Sequence, residues 1–327
     1  LAMLTLPGIP VIYYGTEQGF REQRAAMFTG GYGSGGRDWF DTDAPLYRFL
    51  QQAIALRRVH PVLSRGTPEI LASSRTGAGA LAWRMRAGAE QLIVVFNTAE
   101  EAILVDHLAT GLAPGTQFAV RFALGCDAAV GAGSARDLSP GTQDRGQSPL
   151  PPSRHCTHPA PMVAADGTLS LVLPPRSAYV WEPQPASGHA TAAATARIGI
   201  DLPAASTFAG DFELSGRAGE ARSLQLVIDG RLGSAQPVAV GPDGRWQVSV
   251  DTGAMLDPQL QHRLVLRDPA TGAVSDAFEF RVQRPWRTLV DTADPQGDDH
   301  GPDGRYQYPT DPAWREARPA DIEQVRV

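Results

Sequence analysis

The sequence predicts a multidomain chain in which a short α/β segment precedes several all-β sandwich domains. Its 327 residues are enough for about two or three domains. Glycine and proline are abundant, with 34 and 27 copies, and helix-period patterns become scarce after Leu63, which favours β modules with many turns. The formal net charge is only −6 and no basic stripe is present, which argues against nucleic-acid binding. No apolar run in the sequence approaches the length of a membrane span.

The α/β segment begins with residues 6–20 (LPGIPVIYYGTEQGF). Residues 11–14 form a continuous apolar and aromatic run, which predicts a strand covered on both faces, as in a parallel sheet. Three polar residues, 16–18, follow at the C-terminal end of this strand, which is the end that carries the active site in α/β barrels.

A helix is predicted after a glycine-rich loop at residues 21–42. Asp43 is the expected N-cap and Pro45 lies in the first turn, and apolar residues from 46 to 56 recur at helical spacing. The helix is expected to end at His60-Pro61, because the residue before a proline avoids the helical conformation. This position favours a structural rather than a catalytic role for His60.

The string GIPVIYYGTE at residues 8–17 resembles the last barrel strand of the α-amylase superfamily of glycoside hydrolases. The phrase RRVHPVL at residues 57–63 resembles the end of the eighth barrel helix in that family. The resemblance implies that residues 1–65 are the C-terminal end of a catalytic (β/α)8 TIM barrel. The alternative is a buried strand and helix of some other α/β protein.

The resemblance also implies two substrate-binding residues. Glu17 matches a carboxylate position at the barrel mouth and is interpreted as a supporting residue. Arg24 matches an arginine in the loop that follows the strand, but Phe20 and Gln23 replace the aspartate and asparagine of the family motif. The alternative for Arg24 is an ordinary surface arginine paired with a nearby acidic residue.

The sequence offers no candidate catalytic residue. The resemblance implies a retaining mechanism with a nucleophilic aspartate, an acid/base glutamate and a further aspartate in an Asn-His-Asp motif, and this motif does not occur in the sequence. The sequence starts at Leu1 inside a predicted helix end, so we expect a fragment truncated at its N-terminus. On this expectation the parent protein is a glycoside hydrolase, and the present chain alone is inactive.

Residues 66–183 are predicted to form a β-sandwich like the one that follows the barrel in amylases. Strands are expected near residues 80–85, 92–97, 117–122 and 169–173, from their β-branched and aromatic residues. The string PPRSAYV, starting at Pro174, resembles the last strand of that sandwich. An insert at residues 131–161, rich in glycine, proline and serine, is expected to be a surface loop.

Residues 184–196 are rich in small residues and predict a linker. Residues 197–283 contain six segments that alternate with period two, which predicts an immunoglobulin-like sandwich. Trp246 shares one face of its strand with Val248 and Val250, so we expect it in the core rather than stacked on a sugar ring.

Residues 284–327 form a distinct, acidic tail. Asp294, Asp298 and Asp299 lie on a glycine-bent loop, and oxygen ligands at such spacing suit calcium; the alternative is a solvated acidic turn. The string DPQGDDHGP at residues 294–302 resembles the opening of the C-terminal module of glucodextranase, which implies a carbohydrate- or cell-surface-binding unit. Too little chain follows to close a separate core, so truncation is expected at this end also.

The resemblance implies an extracellular or periplasmic location. Cys126 and Cys156 are therefore expected to form a disulfide, because disulfides persist outside the cytosol. Closing a loop of this length stabilises a fold by roughly 3–4 kcal/mol in the chain-entropy model. The alternative is two unrelated free thiols.

Two functions of different classes follow from these features. The first is the C-terminal part of a secreted α-amylase-type hydrolase that cleaves starch or other α-glucans. A debranching or transferase variant on the same barrel is a further alternative, because bond specificity depends on loops that the sequence does not contain. The second is a non-catalytic array of β modules that binds carbohydrate or anchors to the cell surface. The implied partners are an α-glucan and the cell envelope, and the implied cofactor is calcium.

Overall fold

The structure is a computed structural model that describes residues 1–20, 24–125, 161–185, 197–255, 257–283, 289–291 and 314–316. In these ranges it contains a helical N-terminal segment, a first sandwich and a second sandwich. The helices, all within the N-terminal segment, are α1 (Ala2–Thr5), a 3-10 turn (Thr16–Gln18), α2 (Pro45–Val59) and α3 (Val62–Arg65).

The strand predicted at residues 11–14 is not formed among the described residues. These residues follow an irregular path, and Val11 and Tyr13 are 75% and 71% exposed. A parallel strand requires neighbours that satisfy its backbone groups, and the described part of the chain pairs no strand with this stretch. The prediction of a buried strand at residues 11–14 is therefore wrong for the described structure.

Helix α2 occupies the predicted position, although its N-cap differs from the expected one. The N-cap is Ala44, Pro45 takes the first helical position, and the side chain of Asp43 instead pairs with Arg48. The helix ends at His60, whose Nδ1 lies 3.2 Å from Glu90 Oε1. His60 thus has the structural role that its sequence position indicates.

Arg57 of α2 fixes the path of the N-terminal segment. The two N–H groups of its Nη1 are shared among the carbonyl oxygens of Leu4, Leu6 and Leu63, at 2.9, 2.8 and 2.7 Å, and its Nη2 donates to the carbonyl oxygen of Gly8 at 2.7 Å. A single guanidinium therefore collects four backbone acceptors from both ends of the segment, as its forked donors allow.

The first sandwich contains seven strands in two sheets. A five-stranded antiparallel sheet has the order β1-β2-β3-β7-β5, and β4 pairs with β6 in a second sheet. Their bounds are β1 Thr67–Ser73, β2 Ala80–Ala87, β3 Glu90–Asn97, β4 Ile103–Ala109, β5 Gln117–Leu124, β6 Thr168–Leu173 and β7 Ser177–Gln184.

The five-stranded sheet is buried on both faces. One face, with Ile93 and Trp181, packs against β4 and β6. The opposite face, with Trp83 and Val94, packs against α1, α2 and α3 through residues such as Leu56. This three-layer arrangement explains why β3 and β7 are apolar along most of their length rather than alternating.

The second sandwich contains eight strands in two sheets. One sheet has the order β13-β10-β8 and the other β12-β11-β14-β15-β9, with β9 parallel to β15. The bounds are β8 Gly199–Asp201, β9 Thr207–Phe208, β10 Phe212–Arg217, β11 Ser223–Ile228, β12 Gln236–Ala239, β13 Arg245–Val250, β14 His262–Arg267 and β15 Phe278–Val282.

The core of the second sandwich confirms the prediction for Trp246. Its side chain is 3% exposed and packs with Val248 and Val250 from the same strand face. Four phenylalanines from β9, β10 and β15 form a compact aromatic group in this core: Phe208, Phe212, Phe278 and Phe280. In the tail, β16 (Leu289–Asp291) pairs antiparallel with β17 (Trp314–Glu316).

The Arg57 contacts predict an asymmetric effect of two neighbouring substitutions. Arg57→Ala removes four hydrogen bonds from a charged donor and should lower the free energy of unfolding of the N-terminal segment by about 2–4 kcal/mol. Arg58→Ala, the exposed neighbour on the same helix, should change it by less than about 0.5 kcal/mol. Hydrogen exchange of residues 1–20 in the full chain measures the difference, and equal protection in both variants would contradict it.

Candidate functional site

Glu17, predicted to bind substrate, lies in the 3-10 turn and is half-buried. It borders a groove of about 630 Å³ that runs along α2. Most of the groove wall is aliphatic, with Leu50 and Ile54 among its members, and Arg58 is the other charged residue that lines it.

Arg24 lies apart from this groove. It is exposed and its backbone is left-handed, with φ of +60°. The loop that carries it is held against the preceding segment, since the amide of Met27 donates to Tyr14 Oη at 2.9 Å and the rings of Phe20 and Trp39 meet edge to face at 5.2 Å. The structure does not bring Glu17 and Arg24 to one pocket, and their role in substrate binding stays a prediction.

The remaining predicted site residues lie outside the described ranges. These are the calcium candidates Asp294, Asp298 and Asp299 and the cysteines Cys126 and Cys156. Within the described residues, no three histidine, cysteine, aspartate or glutamate side chains are grouped as a metal site. The calcium and disulfide predictions therefore stay predictions.

A cluster of polar and charged residues lies where the two sandwiches meet. The turn after β11 has Asp229 and Gly230 at its centre, with φ of +52° and +74°, and the amide of Arg231 donates to Ile228 O at 3.0 Å. Two left-handed central residues are the geometry of a type I′ turn, for which Asp-Gly is a preferred sequence. This turn docks against β4 of the first sandwich.

Backbone groups join the turn to β4. The amide of Leu104 donates to Gly230 O at 2.8 Å, and the amide of Leu232 donates to Ala102 O at 3.3 Å. Ile103 and Arg231 form an antiparallel bridge. A side chain at Gly230 would collide with the carbonyl oxygen of Leu104, so the approach of the two backbones requires glycine at this position.

Apolar and charged side chains extend the contact on both sides of this bridge. Leu104 is buried with Val227 and Val265 of the second sandwich. Arg231 Nη1 donates to Glu101 Oε1 at 2.9 Å, and the other oxygen of Glu101 accepts from the amide of Gly233 at 2.8 Å. The interface thus combines a buried apolar patch with an ion pair.

A β-bulge in β4 places a second ion pair across the same interface. The register of β4 shifts between Val105 and Leu108, and His107 within the bulge has φ of +49°. Asp106, whose side chain is 9% exposed, accepts from Arg263 Nε at 2.9 Å and from Arg263 Nη2 at 2.6 Å. Bulges characteristically redirect a side chain in this way.

Neighbouring groups shift the pKa values of Asp106 and His107. Burial alone would raise the pKa of Asp106, but hydrogen bonds from His107 and Arg263, together with the charge of Arg263, outweigh it and lower that pKa. The hydrogen bond to Asp106 raises the pKa of His107 against the opposing effect of burial. The charged forms of both groups are therefore favoured in the folded state.

A second histidine lies beside this cluster. His262 Nδ1 is 2.8 Å from Asp229 Oδ2, and Asp229 Oδ1 accepts from the amide of Arg263 at 3.0 Å. The other ring nitrogen of His262, Nε2, is buried and has no hydrogen-bond partner among the described residues. His262 itself is 5% exposed.

These groups line a polar cleft of about 510 Å³ between the sandwiches. Its walls are the end of β1 and the turn after it, β4, the Asp229-Gly230 turn, the start of β14, and Glu279 of β15. Sequence reasoning missed the cleft, because its charged residues lie far apart in the chain. The Asp-Gly turn and the interruption of alternation by Asp106-His107 were the local signals available.

Comparison with known proteins gives one match to a family model. The C-terminal binding module of glucodextranase, described as SLH-like, matches residues 289–327. This match confirms the resemblance predicted for the acidic tail. No curated protein matches the chain. None of the described helices is long and apolar enough to cross a membrane.

Solved structures similar to the chain are α-amylases and a related enzyme. An α-amylase from Anoxybacillus has 20% identity and a TM-score of 0.36, covering 57% of this chain and 31% of that chain. The α-amylase from Geobacillus thermoleovorans has 19% identity and a TM-score of 0.35, covering 56% of this chain and 31% of that chain. Trehalulose synthase MutB has 18% identity and a TM-score of 0.25, covering 43% of this chain and 18% of that chain. The chain spans about a third or less of the length of these structures.

The close approach at Gly230 predicts a difference between two glycine substitutions. Gly230→Ala and Gly244→Ala both place alanine at φ of +74° and should each cost about 1–2 kcal/mol of stability. Only the first also collides with β4, so it should lower the free energy of unfolding by at least about 2 kcal/mol more. Urea denaturation of the full chain measures both, and equal losses would contradict the interface.

The shifted pKa values predict a stability maximum in mildly acidic solution. The contribution of His107 is fully present below its ordinary pKa of 6.5 and is lost as pH rises through its higher folded value. The contribution of Asp106 is present above its ordinary pKa of 3.8 and is lost as pH falls through its lower folded value. Arg263, Glu279 and Asp166 are the other charged groups that act on this pair or its partners.

His107→Asn provides the test, because asparagine tolerates the left-handed backbone of this position but does not titrate. The variant should lose the decline in unfolding free energy that the parent chain shows above about pH 6.5. Superimposable pH profiles for the two proteins would show that His107 does not contribute.

Proposed function

We propose that this chain is the C-terminal part of a secreted α-amylase-type glycoside hydrolase that acts on starch or related α-glucans. The observation that carries the proposal is the match of residues 289–327 to the C-terminal binding module of glucodextranase. The string at residues 8–17 and the order of the following β modules support it, since both resemble the C-terminal half of such enzymes.

The N-terminal segment supports the proposal through its exposed surface. Ile9, Val11 and Tyr13 are 92%, 75% and 71% exposed, although their sequence has the pattern of a strand buried on both faces. In the proposed protein, residues 1–65 complete a (β/α)8 barrel whose other strands cover these side chains. Helices α2 and α3 then join the barrel to the first sandwich through their buried face.

The proposed chemistry is a retaining hydrolysis carried out by carboxylates that this chain does not contain. Two carboxyl groups about 5 Å apart perform such a reaction. Glu17 and Arg24 would contact the sugar without taking part in bond cleavage. Secretion, the Cys126–Cys156 disulfide and calcium on the acidic tail belong to the same proposal.

A second function is favoured by the description of the matched module. That module is a binding module with SLH-like character, which fits a non-catalytic array that holds carbohydrate or the cell envelope. On this view the two sandwiches serve as a support for the C-terminal module, and the N-terminal segment has no catalytic partner.

The sequence of the coding region upstream of Leu1 separates these functions. A region encoding the nucleophilic aspartate, the acid/base glutamate and an Asn-His-Asp motif would establish the hydrolase. A region without them would overturn it in favour of the binding array.

The proposal predicts that this chain alone does not hydrolyse glucans. The purified chain, incubated with a chromogenic maltooligosaccharide, should release no more product than a blank without protein. Hydrolysis above that blank would place catalytic groups within the chain and refute the prediction that it is inactive alone. Sedimentation with insoluble starch, measured on the same sample, reports glucan binding separately from catalysis.

A further inference from the structure

The cleft between the two sandwiches has the size and position of a ligand site. Its volume of about 510 Å³ lies within the range of roughly 300–1,000 Å³ found for small-molecule sites, which often form where domains meet. The β-bridge between Ile103 and Arg231 and the hydrogen bond from the amide of Leu104 to Gly230 O fix the separation of the two walls. A ligand would therefore find a preorganised site, with little ordering cost in the protein.

Apart from Arg75, which is exposed and has no ion pair among the described residues, the charges that line the cleft are already paired with one another. Arg263 is bound to Asp106 and lies 3.3 Å from Glu279 Oε1, and Asp106 also contacts His107. Gln261 Nε2 donates to the other oxygen of Glu279. A charged ligand would have to compete with one of these partners, which disfavours it.

Hydrogen-bonding capacity nevertheless remains in the cleft. Each carboxylate has about four acceptor positions, so Asp106, Glu279 and Asp229 can accept further bonds while keeping their present partners. A ligand with many hydroxyl groups supplies neutral donors and acceptors together.

We propose that this cleft binds a neutral, polyhydroxylated ligand, namely a short α-glucan segment. The choice of an α-glucan rests on the proposed function, whereas the neutral polyhydroxyl chemistry follows from the cleft itself. The described lining contains no tyrosine, tryptophan or phenylalanine on which a sugar ring could stack. The expected dissociation constant for maltotriose is therefore weak, about 1 mM.

Ligand-observed NMR of the full chain with maltotriose tests the site. Gln261→Ala combined with Glu279→Ala removes a hydrogen-bonded pair on the wall and should weaken binding at least tenfold. Gln247 and Glu213 form a matched exposed glutamine–glutamate pair, at 3.5 Å, on the opposite sheet of the same sandwich. Their double alanine variant should bind maltotriose as the parent chain does.

Two results would overturn the cleft as a glucan site. One is the absence of maltotriose binding by the parent chain, and the other is equal binding by the parent chain and the Gln261/Glu279 variant. In either case sedimentation with starch and the upstream coding sequence still report on the proposed function independently. Stronger binding of a trigalacturonate than of maltotriose would overturn the preference for a neutral ligand.

Discussion

The contact on which the described architecture depends is the backbone bridge between β4 and the turn at Asp229-Gly230. β4 belongs to a two-stranded sheet, and its outer edge would otherwise present unpaired amides and carbonyls. The turn covers that edge, and its glycine permits an approach that a β-carbon would block. Once this bridge is formed, the ion pairs of Arg231 and Arg263 and the walls of the cleft follow from the position of the two sandwiches.

A second constraint acts on the first sandwich, whose large sheet must satisfy two packing partners. Its central strands bury one face against β4 and β6 and the other against the helices of the N-terminal segment. Trp83 and Trp181 are nearly inaccessible on opposite faces. The first sandwich therefore joins the N-terminal segment to the second sandwich, and these two parts need no direct contact with each other.

Alternation and residue type were sufficient to predict most strands and the core position of Trp246, because both depend on local sequence. Four strands of the two sandwiches were not predicted, namely β1, β4, β9 and β12. The pattern is broken in two of them, because β4 contains a bulge and β12 carries Pro237 on the edge of its sheet, and β9 has only two residues. The run at residues 11–14 predicted a buried strand, but the described structure forms no strand there and leaves Val11 and Tyr13 exposed. The cleft was beyond sequence reasoning, since Asp106 and Arg263 are separated by 157 positions.

The covered edge of β4 also has a consequence for how such proteins can be recombined. Transfer of the second sandwich alone to another protein would leave Leu104 and its amide exposed on the first sandwich. The transferred Asp229-Gly230 turn would lack its contact with β4. A graft that moved both sandwiches together would keep every bond of the bridge. The two sandwiches should therefore be transferred together. A recombination point between residues 185 and 197 would separate two domains that form one structural module.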